Sequence, residues 1–418
     1  MVILFIAITI VLLVLSWKYM LRLEPAGVFA VIWLVSAVSV LLLSNYIELR
    51  YTGGVFMLTG VTVFVMGTIF SDAFYHPEPS GASLELKRQW VCPTLIVLIA
   101  GAMVNPIYSI ILHGFSLQVL LDMREIMEMN KGIAGDRYSG SEVSNFVNQF
   151  FLIFSYAAPV IGGFCYRLVE KWNKALCIIT LIPGTFIALT QSMKMGMITS
   201  FMLWLASYLV CSFSYGLPIR MKAKAILKFV LIIVGFFLIL FLSMVLRTGE
   251  ISEKTILEIS EKFVAYSLGH MHCVDMWYTS YTPTDLAWGS KTFMGISNLL
   301  GIEERVQGLY PEYLNIGKNG FYGISNIYTC FRPLVEDFGE VGAIIIMFGM
   351  GVAASMSFRA LKAHHAVFFN QMILVAIYGY VMWSFAASFY MYTSYLAMFV
   401  VVYVLFHLLQ KETEPCRS

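Results

Sequence analysis

The chain has 418 residues, 59% of them hydrophobic and only 12% charged. Soluble chains carry roughly 25% charge, so a globular surface, and with it most cytosolic enzymes, is excluded. A formal net charge of +2 is too small to point to nucleic acid or to a polybasic lipid anchor.

With mean hydropathy +0.78, the expected fold class is all-α, a polytopic integral membrane protein. Apolar stretches of about 20 residues predict eleven spans, at 2–17, 26–44, 54–71, 90–112, 147–166, 175–191, 197–214, 226–246, 341–357, 368–387 and 391–409. No basic residue precedes the first, and no small-x-small site follows it before Lys18, so it is expected to stay as a helix. Fifteen basic residues fall in alternate short connections: Lys18, Arg22, Lys87, Arg88, Arg167, Lys171, Lys174, Arg220, Lys222, Lys224, Lys228, Arg359, Lys362, Lys411 and Arg417. The opposite short connections hold Arg50 and Lys194, with Arg124, Lys131 and Arg137 in the stretch 113–146. Positive charge marks the cytoplasmic side, so the N-terminus is expected outside and the C-terminal tail inside.

Three regions result. Residues 1–246 carry spans one to eight with an external loop at 113–146, residues 247–340 form a large external segment, and 341–418 carry the last three spans and a short tail. No cytoplasmic segment is long enough for a nucleotide-using domain, and no P-loop or GxGxxG stands in for one. Chemistry is therefore expected in 247–340.

Within that segment, 252–280 places Ile256, Ile259, Phe263 and Tyr266 at helical spacing, which predicts one amphipathic helix near the surface. His272 and Asp275 stand three apart on one of its faces, and His270 lies with Tyr266 and Trp277 on another. Pro283 and the tracts AWGSKTFMG and GLYPEYLNIGKNGFYGISN follow, loop sequences with interleaved aromatics. Trp288, Tyr310, Tyr322 and Tyr328, with Tyr313 and Phe321, suit the apolar faces of sugar rings, or else form an interfacial belt. Asp337 and Glu340 have the spacing of a capping box. Arg247 and Arg332, where spans eight and nine meet the external segment, and Lys194 in the turn TQSMKMG suit a pyrophosphate at headgroup depth, or snorkelling anchors. Of the seven cysteines, Cys273 and Cys330 fall outside the membrane, as a disulfide or as two packed thiols.

Three short motifs carry a resemblance. Asn326-Ile-Tyr-Thr-Cys-Phe-Arg-Pro-Leu-Val-Glu-Asp-Phe-Gly339-Glu-Val-Gly342 before a late span, Tyr266-x-x-Gly269 followed by Asp275, and Gln191-Ser-Met-Lys194-Met-Gly196 between two helices resemble the bacterial oligosaccharide repeat-unit polymerases, the O-antigen polymerase family. The Arg-x10-Gly pattern of some such polymerases is absent: nine residues separate Arg332 from Gly342, and neither Arg247 nor Arg305 has glycine at that distance.

The resemblance implies a glycosyltransferase-C-like helical bundle of about 11 spans in the bacterial inner membrane, acting at the periplasmic face. It implies transfer of a growing glycan from undecaprenyl pyrophosphate onto a second lipid-linked repeat unit, with a chain-length regulator protein as a further partner besides membrane lipid. Such a reaction needs a general base near the acceptor hydroxyl and cations around the leaving group. The candidates are His272 and Asp275, then His270, for the base, and Arg247, Arg332 and Lys194 for the pyrophosphate. No cofactor and no metal is expected, since there is no DxD and the only external histidine cluster is His270 with His272. A ligase that transfers finished polymer to another lipid needs nearly the same parts. A lipid-linked oligosaccharide flippase is the rival from a different class, set against by span interiors nearly free of charge and by the absence of an internal repeat.

Overall fold

A computed structural model describes all residues except 140–145, 192, 220–222, 249–251, 283–284, 304–309 and 414–418. Arg220, Lys222, Pro283, Arg305, Cys416 and Arg417 therefore lie outside the described residues. In chain order the helices are α1 (Val2–Leu21), α2 (Pro25–Leu42), α3 (Thr52–Phe74), α4 (Arg88–Leu112), α5 (Met123–Ser139), α6 (Phe146–Cys165), α7 (Lys171–Ile179), α8 (Ile182–Thr190), α9 (Lys194–Ser214), α10 (Ala223–Thr248), α11 (Glu253–Leu268), α12 (His270–Ser280), α13 (Met294–Leu299), α14 (Phe331–Lys362), α15 (Val367–Trp383) and α16 (Thr393–Leu409). The strands β1 (Ser83–Leu86), β2 (Leu314–Asn315), β3 (Ile324–Ser325) and β4 (Gln410–Thr413) form two small antiparallel pairs, β1 with β4 and β2 with β3.

This is an all-α membrane protein. Among the described residues nine helical segments are long and apolar enough to cross a membrane, α7 and α8 together (Lys171–Thr190) making one of them, and the shorter apolar helices α15 and α16 fall on the last two expected spans. Side chains such as Ile3 (84% exposed), Val14 and Leu238 stand bare on these helices, as bilayer-facing residues do.

Three expected elements differ. The span at 175–191 is two helices, because Pro183, in the first turn of α8, has no N–H for the Ile179 carbonyl and cannot continue α7. The single surface helix at 252–280 is α11 and α12, parted at Gly269, and the first six residues of α12 are buried. The span at 341–357 starts ten residues earlier, at Phe331, and runs across a kink at Gly339 (φ 69°, ψ 176°), a conformation open only to glycine.

The chain forms two compact units. One comprises Met1–Ser80 and Glu261–Leu396, the other Gly81–Ser260 and Ala397–Ser418. In the first, α14 lies against α3 at glycines: a Cβ on Gly67 would sit 2.2 Å from the Phe348 carbonyl oxygen, and one on Gly351 2.0 Å from that of Phe64. Small residues admit such backbone contact in membranes, where apolar burial alone does not drive association. The rings of Phe29, Trp33, Phe64 and Phe331 interlock edge to face at 5.0–6.4 Å. At the C-terminal end of α3, Asp72 accepts hydrogen bonds from Arg359 Nε (2.8 Å), Ser355 Oγ (2.9 Å) and the Tyr19 hydroxyl (3.0 Å), with Lys18 at 3.4 Å.

In the second unit α6 packs on α4 and α9. Gly163 lies so close to Trp204 in α9 that a Cβ would meet its carbonyl oxygen at 2.0 Å. The stretch 113–146, expected as an external loop, is largely helical. A short 3-10 turn (Leu117–Leu121) and α5 bury Val119, Met129 and Ile133 against Ile110 of α4.

Candidate functional site

The second turn of α12 meets the start of α3, whose N-cap residue Tyr51 supplies no side-chain cap. Asp275 supplies it instead. Its Oδ2 accepts the N–H groups of Arg50 (2.5 Å) and Tyr51 (3.0 Å), and its Oδ1 those of Gly53 (2.6 Å) and Gly54 (3.3 Å). Carboxylates at helix N-termini satisfy orphan amides and oppose the dipole. Gly53 makes the approach possible, since a Cβ there would lie 2.7 Å from Asp275 Cα. The expected base thus has its oxygens committed to four amides.

The two histidines are buried as well. His270 Nε2 stands 3.0 Å from Ser36 Oγ, with Trp33 and Phe385 edge-on to its ring. His272 is 0% exposed, and among the described residues neither ring nitrogen has a hydrogen-bond partner. Burial pushes His270 down to about 4; for His272 burial, then His270 and Lys318, push it down to about 3, so both are neutral near pH 7. A general base must come within hydrogen-bond reach of its substrate, and in this structure both imidazoles are enclosed by protein.

A different cluster forms around Arg332, in the first turn of α14. Its guanidinium lies 3.7 Å from the ring centre of Tyr310, 4.3 Å from Tyr328 and 5.1 Å from Trp277. Nε donates to Glu336 Oε1 and Nη1 to Glu312 Oε2, both at 2.9 Å. The Tyr310 hydroxyl donates to Glu336 Oε2 (2.8 Å) and the Tyr328 hydroxyl to the Glu312 carbonyl (2.9 Å). Burial and the neighbouring Glu336 hold the Tyr310 hydroxyl well above its usual range. The expected bare cation is therefore neutralised by two carboxylates and walled by three rings.

Beside it, Asp337 is buried and accepts the N–H groups of Lys291 (2.9 Å) and Thr292 (2.6 Å). It lies seven residues into α14, so it caps the AWGSKTFMG tract and not its own helix, contrary to the capping-box expectation. Cys273 and Cys330 are both free buried thiols; burial pushes each up to about 12.

The expected sugar-stacking residues divide. Tyr310 and Tyr328 are buried with their faces turned to Arg332, whereas Trp288 (78% exposed, φ 49°) and Tyr322 (45%) are open, Tyr322 with Lys262 Nζ 5.5 Å from its ring centre. Lys194 opens α9 and Arg247 lies in the last turn of α10, both in the unit that does not contain Arg332.

Glu312, Glu336 and Trp277 were not foreseen as site residues. Glu336 had a signal, the i,i+4 spacing to Arg332 on one helix face. Glu312 had none, being placed by the pairing of β2 with β3 and by the Tyr328 bond. Comparison with protein-family models, curated proteins and solved structures finds no match for this chain.

Proposed function

We propose that the chain is a membrane glycosyltransferase that joins undecaprenyl-pyrophosphate-linked oligosaccharide repeat units into a longer lipid-linked glycan, releasing undecaprenyl pyrophosphate. In this reading it resides in the bacterial inner membrane, with the Arg332 end of α14 toward the periplasm and the C-terminal tail in the cytoplasm. The observation that carries it is the Arg332 cluster: a buried guanidinium at the start of a membrane-length helix, holding two carboxylates beside a tract with open aromatics.

Each part has a use in glycosyl transfer. Carboxylates accept sugar hydroxyls, and the open faces of Trp288 and Tyr322 suit the apolar faces of pyranose rings. The two end-groups of α14 separate a glycan-handling end from the end that carries Arg359 and Lys362. Arg332 has a changed part relative to a bare phosphate ligand: its charge serves Glu312 and Glu336.

The test is incubation of purified protein in lipid with undecaprenyl-pyrophosphate-linked repeat units, with products resolved by gel. The expected result is a ladder of products, lost in Arg332→Ala. A single transfer to an unrelated lipid without a ladder, or movement of substrate between leaflets without bond formation, would overturn the polymerase reading in favour of a ligase or a transporter.

A further inference from the structure

Resting on the transferase reading, we propose that Glu312 is the catalytic base, the group that takes the proton from the acceptor sugar's hydroxyl. One arginine holds two carboxylates unequally. Glu336 has Oε1 on Arg332 and Oε2 on the Tyr310 hydroxyl, and its side chain is 17% exposed. Glu312 has Oε2 on Arg332, while Oε1 makes no hydrogen bond within the described residues and the side chain is 59% exposed. Glu336 is thus a part-buried strut with both oxygens engaged, and Glu312 presents a lone-pair edge to the outside.

Glu312 is also held in place. Its backbone carbonyl accepts the Tyr328 hydroxyl, Arg332 grips its Oε2, and Arg332 is itself pinned by three rings and Glu336. A base needs this combination of a fixed oxygen and an open one. Asp275 and Asp337 lack it, and Oε1 of Glu303 is held by Ser290 and Lys291 rather than by a guanidinium. Asp275 and Asp337 have their oxygens on backbone amides, and Glu340 is engaged by Tyr278.

In the step, Oε1 of Glu312 takes the proton of the acceptor hydroxyl as that oxygen forms a bond to the anomeric carbon of the donor glycan. The bond from the anomeric carbon to the pyrophosphate oxygen breaks, and its electron pair leaves with undecaprenyl pyrophosphate. The proton on Glu312 then passes to solvent, which its exposure permits. Arg332 and Glu336 are positioning residues here.

The experiment measures ladder formation by reconstituted wild type, Glu312→Gln, Glu312→Ala and Glu312→Ala with added formate. Glutamine keeps a carbonyl oxygen for Arg332 Nη1 but is not a base, so turnover should fall by about 10²-fold or more with KM nearly unchanged. Glu312→Ala should fall as far and be partly restored by formate, a small carboxylate entering the vacated space, which a merely structural role would not produce. Glu312→Gln within threefold of wild type, or Glu312→Ala without formate rescue, would overturn the assignment while the wild-type ladder still stood. No ladder from wild type would sink the transferase reading and this inference with it. If Glu312→Gln fails to fold, formate rescue of Glu312→Ala decides alone.

Discussion

Arg332 and Arg359 stand at opposite ends of α14, roughly 40 Å apart at 1.5 Å per residue, the thickness of a bilayer with its headgroups. Both grip carboxylates, but the partners differ in where they come from. Asp72 is carried by α3, a helix packed along α14, and its side chain is 12% exposed with Tyr19, Ser355 and Lys18 closing around it. Glu312 comes from a loop and keeps 59% of its side chain exposed. A pair whose members both ride on packed helices is a lock. Where one member comes from a loop, the pair can hold a reactive group at a surface. Membrane depth alone would not have separated the two ends.

The largest test of this contrast is Arg332→Ala. It leaves the part-buried Glu336 without its counter-charge, so stability should fall by about 3 kcal/mol, read as a drop in thermal midpoint in detergent, together with loss of product. Arg332→Lys should recover part of the stability but little activity, because an ammonium lacks the planar fork that reaches two carboxylates.

Asp275→Ala should cost about 2 kcal/mol by stripping four amides at the start of α3, again measured by thermal unfolding. Were Asp275 instead the base, Asp275→Asn would abolish turnover even at temperatures well below its lowered midpoint, where the variant is fully folded. Asp72→Asn should be milder, about 1 kcal/mol, and should leave the ladder unchanged, because the lock at that end touches no substrate.

The smallest effect has the opposite sign. Leucine at 272 removes two buried nitrogens that lack partners, so His272→Leu should be neutral or slightly stabilising at pH 7.5. The folded histidines hold off protonation until about pH 4 and 3, while the unfolded chain takes protons near pH 6.5. The unfolded state therefore binds more protons between these values. The stability contributed by the neutral histidines is intact above about pH 6.5 and declines as pH falls toward 4. Thermal midpoints from pH 7.5 to 5 should fall less steeply in His272→Leu than in wild type.

Much of the fold was legible in the residues. The described apolar helices fall on the eleven expected stretches, since hydropathy needs only composition and length to report a span. The break in 175–191 was legible too, in Pro183, though periodicity alone passed over it. The site was legible in part: Arg332 was singled out for its place before the span, but its role was read without its partners. His272 and Asp275 were read as a surface pair because helical spacing gives a face and not its burial. It was Gly53, more than two hundred residues upstream, that let α12 press onto α3.

What the sequence by itself determined is that this chain is a bundle of membrane helices. Twenty apolar residues must satisfy their own backbone in a bilayer, and a helix does so within the segment. What only the tertiary structure decided is which polar groups are struts and which are presented. Asp275, Asp337, Glu336 and Glu312 are alike as carboxylates in one stretch of sequence. Their amide, hydroxyl and guanidinium partners are brought by long-range packing, and that packing leaves Glu312 with an open oxygen.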